Sequence, residues 1–380
     1  MIRKDFLPLA RPSIAEDDIT AAIEVLQSGW WTTGPKVTEF ENAVAEYLCN
    51  EEKLYTAALN SCTSGLHLSL NALQVGKGDE VIVPTWTFAA TAQVVEWVGA
   101  KLVLCDIEES TLSIDLTKAE RLISPRTKAI IPVHIAGYPC NMHALKEFAD
   151  KHKLSVIEDA AHAFGTRYKG RKIGDFSDVT VFSFYATKNL AMGEGGVVVA
   201  KNEELIEKIR KLGYFGINKK AFQRYDKCGN WFYDIEELGF KYNLDSVHAA
   251  IGISQLKRLD KMNERRREIA AQYKARLTKR LSFFEDRDEH YHTYHLFMIK
   301  LPAEIERNSF IEALKENNIG ASVHFIPLHL HSYYRGAFSG NDFPVANAVF
   351  NRIVSIPMFP SMTDADVDYV IGHINDIVGE

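Results

Sequence analysis

The chain has 380 residues, of which 46% are hydrophobic and 25% are charged, and its formal net charge is −6. This composition is typical of a globular protein with a sizeable core, and the negative charge argues against a nucleic-acid-binding protein, whose surface is basic. No apolar run reaches the ~18 residues of a membrane-spanning helix, and the N-terminus shows no signal-peptide pattern, so we expect no membrane association.

From about residue 37 to residue 200, short β-branched apolar runs alternate with amphipathic helical stretches. The predicted strands cover residues 54–59, 80–84, 101–106, 129–134, 154–159, 179–184 and 197–200, and the predicted helices cover residues 63–73, 88–98 and 142–152. This alternation is typical of a mostly parallel sheet with helices on both faces. Ligands of such sheets bind beyond the carboxyl ends of the strands, so the residues that follow each strand are candidate site residues.

After about residue 245 the pattern changes to that of a smaller α+β domain. It predicts a long helix over residues 247–278, strands at 293–301 and 322–326, and helices at 303–317 and 364–378. We therefore divide the chain into a large domain, 1–245, and a small domain, 246–380. Residues 215–240, which include Phe215, Phe222, Tyr225, Trp231, Phe232 and Tyr233, are too aromatic for a linker and indicate a functional or interface loop.

The first candidate site residue is Lys188, in the loop after the predicted strand 179–184. A lysine held there can form an imine with an aldehyde cofactor, especially if its surroundings lower its pKa. Ser183, five residues earlier, supplies a hydroxyl that can bond a phosphate. The alternative is a solvent-exposed lysine in a hairpin-like turn.

Asp159 ends another predicted strand and is the second candidate. A buried carboxylate opposite a pyridinium keeps the ring nitrogen protonated, because close opposite charges favour both ionised forms. The alternative is that Asp159 caps a following helix. His162, three residues later, either contacts a cofactor oxygen or simply packs.

Two further segments also follow predicted strands. Thr63 and Ser64 open a predicted helix, where unpaired backbone N–H groups and the helix dipole favour a phosphate, although an ordinary helix cap explains them as well. Phe88 or Trp86 can stack on a flat heterocycle, or belong to the core.

Together these segments match four parts of one ligand, pyridoxal 5'-phosphate (PLP). The lysine matches the aldehyde, the carboxylate matches the ring nitrogen, the helix start with Ser183 matches the phosphate, and the aromatic side chain matches the ring face. The ionised pair then draws electrons from a substrate carbanion, which is the chemistry that PLP performs.

Several motifs resemble the DegT/DnrJ/StrS family of nucleotide-sugar aminotransferases, and the resemblance covers nearly the whole chain. The segments that carry it are SGWWTTGP at 28–35, PTWTF at 84–88, EDAAH at 158–162, SFYATKN at 183–189 with GEGG at 193–196, and GFKYNLDSVHAA at 239–250. Residues 324–329 and 355–360 resemble family segments near the substrate entrance.

The resemblance implies a fold type I PLP-dependent transferase, of the aspartate-aminotransferase type, that is a homodimer. It implies that Phe88 rather than Trp86 stacks on PLP, and that Asn243, or less favourably Lys241, reaches the phosphate of the neighbouring subunit. It implies glutamate as the amino donor and a UDP-, dTDP- or GDP-linked keto sugar as the acceptor.

Substrate contacts are expected from the same resemblance at Thr33, His324 and His329, with the loop 32–35 and the aromatic stretch 215–240 as walls of the substrate site. The forms of the 239–250 segment and of the TTGP loop favour amination at C4 of a 4-keto-6-deoxy sugar. The chain departs from the family pattern at Cys62, where small residues are usual, and at the bulky Trp86.

Other functions remain as alternatives. Related sugar dehydratases carry a histidine where this chain has Lys188, which favours transamination. A desulfurase would need a cysteine-bearing catalytic loop, and none is evident. A regulatory protein that kept the fold is disfavoured by the joint presence of Lys188, Asp159 and Ser183.

The cysteines and histidines indicate no metal site or disulfide framework. The five cysteines are scattered without a CxxC pair, which favours a reducing cytoplasm. His324, His329 and His331 cluster in the sequence, but no HExxH motif occurs, and we expect no metal.

Overall fold

The computed structural model describes residues 2–218 and 232–379. The helices are α1 (Glu16–Ser28), α2 (Pro35–Leu48), α3 (Cys62–Ala72), α4 (Ala89–Trp97), α5 (Leu116–Glu120), α6 (Met142–His152), α7 (Glu203–Leu212), α8 (Ser246–Leu256), α9 (Leu259–Arg276), α10 (Arg307–Glu316), α11 (Pro344–Phe350) and α12 (Asp364–Val378). The strands are β1 (Tyr55–Leu59), β2 (Glu80–Pro84), β3 (Lys101–Cys105), β4 (Thr127–Ile130), β5 (Ser155–Asp159), β6 (Arg167–Tyr168), β7 (Arg171–Lys172), β8 (Val179–Ser183), β9 (Gly196–Ala200), β10 (Ser282–Phe283), β11 (Phe297–Lys300) and β12 (Ile353–Ile356).

A seven-stranded sheet with the order β1-β9-β8-β5-β4-β2-β3 forms the centre of the molecule. Strand β9 is antiparallel to both of its neighbours, and the other pairs are parallel. Strands β2, β8 and β9 are buried along their whole length, which explains their nearly continuous apolar sequences. The predicted α/β fold is confirmed, and β1, β2, β5 and β8 all end at one edge of the sheet.

Strand β4 is shorter than the predicted strand 129–134, because it ends at Ile130. Pro132 follows and has no N–H to donate to the ladder. Its carbonyl still accepts a hydrogen bond from Asp159 N at 2.9 Å, so the segment stays beside β5.

The predicted long helix 247–278 is wrong, because α8 and α9 are separate helices with a break at residues 257–258. One side chain just before the break and one within it bind the same carboxylate. Gln255 Nε2 and Arg258 Nη2 lie 2.6 Å and 2.5 Å from Asp18 Oδ2, which ties the break to α1.

The second sheet is antiparallel with the order β10-β11-β12. Its apolar side chains share a core with those of α9, α10 and α12. The predicted strand at 322–326 is wrong: Ser322 forms only an isolated bridge to Ser355, and β12 takes the place beside β11.

The division of the chain at residue 245 stays a prediction. Helix α8, just after that point, packs against α1 and α2. The N-terminal segment in turn lies on the second half of the chain, since Leu7 exchanges hydrogen bonds with Asn318 and Gly320, and Leu9 accepts one from Met358 N. Within the described ranges, no helix has both the length and the apolar character needed to cross a bilayer.

Candidate active site

A cavity of about 570 Å³ lies where β1, β2, β5 and β8 end. It brings together most of the predicted site residues, namely Thr63, Phe88, Asp159, His162, Ser183, Lys188 and His324. These residues are up to 261 positions apart in sequence, and the shared strand direction explains why they meet. Ser64, Asn243, Thr33 and His329 do not line this cavity.

Lys188 reaches the cavity from a turn after β8, in which its backbone N–H donates to Tyr185 O at 2.8 Å. Burial of its ammonium group lowers the pKa to about 8, although the nearby Cys62 and Asp159 oppose the shift. A larger fraction of this lysine is therefore a neutral, nucleophilic amine near neutral pH than for an exposed lysine.

Asp159 is 5% exposed, and burial raises the pKa of its carboxyl group. Two hydrogen bonds counteract this effect: Thr91 Oγ1 donates to Oδ2 at 2.7 Å, and Ala161 N donates to Oδ1 at 3.1 Å. The bond from Ala161 N resembles a cap, but residues 160–166 form turns rather than the helix that the capping alternative required.

Glu158, next to Asp159 in the sequence, lies on the opposite face of the sheet because side chains alternate along a strand. Its carboxylate is 2.7 Å from His134 Nε2 and accepts a hydrogen bond from Thr180 Oγ1 at 3.0 Å. Only the second of the two adjacent carboxylates therefore reaches the cavity.

His162 is positioned as a neutral hydrogen-bond donor. Ala136 N donates to its Nδ1 at 3.2 Å, so that nitrogen carries the lone pair and Nε2 carries the proton. Burial lowers the pKa of this imidazole well below its usual value. The His162 ring also packs on His295, with ring centroids 4.4 Å apart.

The start of α3 borders the cavity through Ser61, Cys62 and Thr63. Ser61 Oγ caps the helix by accepting a hydrogen bond from Ser64 N at 3.1 Å. Ser64 is 4% exposed, and its hydroxyl lies within hydrogen-bonding distance of Asn60 Oδ1 and Ser61 O, so the hydroxyl is engaged within the turn. The structure thus places Thr63 and Ser61, rather than Ser64, where a phosphate can reach them.

The two candidate aromatic residues differ in exposure and in position. Phe88 is 61% exposed and lines the cavity, with its ring 5.8 Å from that of Phe325. Trp86 is fully buried and donates from Nε1 to His324 O at 3.1 Å, so it belongs to the core.

The two histidines predicted to contact substrate lie in different places. His324 lines the cavity, its Nδ1 is 3.0 Å from Ser355 Oγ, and burial lowers its pKa to about 4. His329 is 2% exposed, and its ring nitrogens bond Thr85 and Asn347. We therefore do not retain His329 as a substrate residue. In the described parts of the chain, no group of His, Cys, Asp or Glu side chains could hold a metal ion.

Asn243 and Thr33 line a second cavity of about 940 Å³. Asn243 Nδ2 donates to Thr33 Oγ1 at 2.5 Å, and Lys241 Nζ donates to Asn243 Oδ1 at 2.6 Å. Glu236 and Glu237 border the same cavity, so the two segments that we expected to form substrate walls do meet there. Phe222, Tyr225 and Trp231 lie outside the described residues.

Sequence reasoning missed several residues that line the first cavity, among them Ser61, Thr87, Tyr185, Glu194, His295, Phe325 and Leu9. Ser61, Thr87 and Tyr185 lie within two positions of predicted residues, so a wider window after each strand would have included them. His295 and Leu9 come from distant segments, and no local pattern in the sequence indicates them.

The lining residues fit PLP. A cavity of about 570 Å³ lies within the usual range for cofactor sites, roughly 300–1,000 Å³. It combines a half-buried lysine of lowered pKa, a buried carboxylate and hydroxyl groups beside the start of a helix. These groups match the aldehyde, the ring nitrogen and the phosphate of one molecule.

Comparisons with known proteins agree with this geometry. A profile of the DegT/DnrJ/EryC1/StrS aminotransferase family matches residues 12–375. The chain is 45% identical to the spore coat polysaccharide biosynthesis protein SpsC of Bacillus subtilis, over 99% of this chain and 98% of that protein.

Solved structures give the same result. Spr1654 of Streptococcus pneumoniae in its PLP form is 32% identical with a TM-score of 0.92, covering 98% of both chains. The sugar aminotransferase CalS13 of Micromonospora echinospora is 30% identical with a TM-score of 0.88, covering 97% of this chain and 99% of its own. The chain therefore belongs to the DegT/DnrJ/EryC1/StrS aminotransferase family and is a PLP-dependent aminotransferase.

Proposed function

We propose that this aminotransferase transfers an amino group from glutamate to a nucleotide-linked keto sugar, in amino-sugar biosynthesis for a surface polysaccharide, another glycan or an antibiotic. The observation that carries the proposal is the convergence of Lys188 and Asp159 on one cavity that has exposed aromatic side chains at its mouth. The similarity to SpsC, a polysaccharide biosynthesis protein, and to CalS13, a sugar aminotransferase, supports a sugar substrate.

Lys188 is the residue that we expect to move protons. Because burial lowers its pKa to about 8, its amine can accept a proton from the substrate carbon and return it nearby. When bound, PLP supplies the aldehyde that carries the amino group and the ring that withdraws electrons from the reacting carbon.

The other cavity residues bind and orient. Asp159 provides the negative charge that keeps a ring nitrogen protonated, and His162 offers its Nε2–H to an oxygen such as the phenolic oxygen of the cofactor. Ser183 Oγ accepts a hydrogen bond from Tyr185 N at 3.4 Å, which leaves its own proton for a phosphate oxygen.

The mouth of the cavity suits a large, partly stacked substrate. Phe88 and Tyr185 are 61% and 46% exposed there, although large aromatic residues usually bury most of their surface. A sugar or a nucleoside base can pack on such rings. Amination at C4 of a 4-keto-6-deoxy sugar is the form that the motifs at 28–35 and 239–250 favour.

We also propose a homodimer in which Asn243 of one subunit contributes to the cofactor site of its partner. Asn243 lies in the second cavity rather than beside Lys188 of its own chain. Helix α1 and the segment after it expose Ile19, Ile23, Leu26 and Trp31, an apolar surface that a second copy can cover.

The test is a panel of UDP-, dTDP- and GDP-linked keto sugars, each incubated with the holoenzyme and glutamate. We expect 2-oxoglutarate and an amino sugar in equal amounts with at least one nucleotide sugar. Amination of simple keto acids with no turnover of any keto-sugar nucleotide contradicts the proposed substrate class. Loss of the keto-sugar substrate to a deoxy sugar without an amino group supports the dehydratase alternative.

A further inference from the structure

Two threonine hydroxyls form a chain of hydrogen bonds that ends on Asp159. Thr91 Oγ1 lies 2.7 Å from Asp159 Oδ2, and Thr87 Oγ1 lies 2.8 Å from Thr91 Oγ1. Thr87 is just before the N-cap of α4, and Thr91 is in the first turn of that helix. Thr91 is fully buried, and Thr87 is 2% exposed although it borders the cavity, so water has little access to either residue.

The direction of these bonds follows from the charge of Asp159. An ionised carboxylate has no proton to give, so the Thr91 hydroxyl must donate to it. Because the only hydroxyl proton of Thr91 is donated to Asp159, the Thr91 oxygen accepts a hydrogen bond from the Thr87 hydroxyl. The hydrogen bonds run from Thr87 through Thr91 to Asp159, and each hydrogen bond polarises the next one.

The two threonine hydrogen bonds oppose the effect of burial on the ionisation of Asp159. Removing a carboxylate from water favours its neutral form, and burial raises the pKa of Asp159. Among the described residues, Thr91 Oγ1 and Ala161 N donate hydrogen bonds to this carboxylate. The bond from Thr91 is the largest of the influences that lower the pKa of Asp159, ahead of the bond from Ala161 N and the charges of Lys188 and His134.

We propose that Thr91 is a positioning residue whose hydroxyl, oriented by Thr87, keeps Asp159 ionised for the ring nitrogen of the cofactor. This inference rests on the proposed pairing of Asp159 with PLP. The ring nitrogen of PLP and the Asp159 carboxylate share one proton. Without the Thr91 hydroxyl, this proton would move from the ring nitrogen to the carboxylate. No proton enters or leaves the pair, so the step needs no other reactant.

The experiment uses full-length holoenzyme loaded with PLP that carries ¹⁵N at the ring position. The ¹⁵N chemical shift separates a protonated ring nitrogen from an unprotonated one. We compare the unmodified protein with Thr91→Val, which keeps the side-chain shape without the hydroxyl, and with Thr91→Ser, which keeps the hydroxyl. The matched control is Thr56→Val, because Thr56 is also a buried threonine and donates to Glu41 O at 2.9 Å, away from the cavity.

We expect Thr91→Val to move the ¹⁵N signal toward the unprotonated position and to raise the dissociation constant for PLP about tenfold, the effect of losing one hydrogen bond to a charged group. Thr91→Ser and Thr56→Val should leave the signal unchanged. Thr87→Val should shift it in the same direction, with an increase of about threefold in the dissociation constant.

An unshifted ¹⁵N signal in a folded Thr91→Val protein overturns the inference. Should Thr91→Val fail to fold, Thr87→Val decides the question, because the outer hydroxyl can be removed without breaking the bond to Asp159. If the unmodified protein itself shows an unprotonated nitrogen or does not bind PLP, the proposed pairing with Asp159 fails instead.

Discussion

The two cavities of the molecule differ in what a single chain supplies. The cavity of Lys188 and Asp159 is lined by groups of complementary chemistry from the ends of several strands. The cavity of Thr33 and Asn243 is larger, and many of its lining residues are charged side chains of α7 and of residues 236–237. The comparison teaches that one chain brings together the groups that we expect to carry out the covalent chemistry, whereas we propose that Asn243 acts in the site of a second copy.

The largest expected effect is that of Lys188→Ala. Removing the amine removes both the attachment point of the cofactor and the proton carrier, so we expect transamination to fall by at least about 10³-fold. Borohydride reduction followed by peptide mass analysis should find PLP on Lys188 in the unmodified protein. Lys151→Ala, at an exposed lysine paired with Glu120, is the control and should keep full activity.

Asp159→Asn should have the next largest effect, a loss of about 10²- to 10³-fold in kcat, because the neutral amide cannot stabilise a protonated ring nitrogen. Glu158→Gln is the matched comparison on the other face of the sheet. It should lower the free energy of unfolding by about 1–3 kcal/mol through its lost contacts, with little change in kcat. Equal losses of kcat in both variants would contradict the separate roles of the two carboxylates.

Asn243→Ala tests whether the second cavity belongs to the site of a partner subunit. Alone, it should raise the dissociation constant for PLP about tenfold if one hydrogen bond to the charged phosphate is lost. Co-expression with Lys188→Ala should restore about one quarter of the active sites, because half of randomly formed dimers then carry one intact site. No recovery of activity above that of the separate variants argues against sharing.

The pH dependence of PLP capture has a smaller but specific expected signature. The neutral amine of Lys188 reacts, and its pKa is lowered to about 8 by burial. The capture rate of the PLP-free protein should therefore rise with pH and reach half its maximum near pH 8. Stopped-flow absorbance measures this rate, and a midpoint close to the usual lysine value of about 10.5 contradicts the lowered pKa.

The smallest effect on catalysis is expected from His329→Leu. His329 bonds Thr85 and Asn347 in the core, so its loss should cost about 1–3 kcal/mol of stability while KM for the sugar changes less than about twofold. Chemical denaturation and steady-state kinetics on the same preparation measure the two quantities. A KM increase above tenfold in the folded variant restores His329 as a substrate residue.

The sequence predicted the strands of the central sheet and the cavity residues that follow them, because burial imposes a clear apolar pattern on each strand and the shared strand direction brings their ends together. It did not predict the end of β4 at Ile130, although Pro132 is a signal for it. The break between α8 and α9 was also missed, since it depends on contacts of Gln255 and Arg258 with Asp18, far away in the chain.

Among the site residues, too, local sequence patterns identified some positions and contacts with other residues decided the rest. Lys188, Asp159 and Ser183 were accessible to local reasoning because each is at or just after a strand end. Ser64 lies outside the cavity, and its hydroxyl is already within hydrogen-bonding distance of Asn60 in the same turn. The position of His329 outside the cavity depends on its bonds to Thr85 and Asn347, and the position of His295 depends on packing against His162. Tertiary contacts of this kind leave no periodic pattern in the sequence.

The most direct test of the central claim is a crystal structure of the protein with PLP. We predict continuous electron density from Lys188 Nζ to the cofactor, with a carboxylate oxygen of Asp159 within hydrogen-bonding distance of the ring nitrogen. A cofactor bound elsewhere, or a ring nitrogen that faces away from Asp159, contradicts the account.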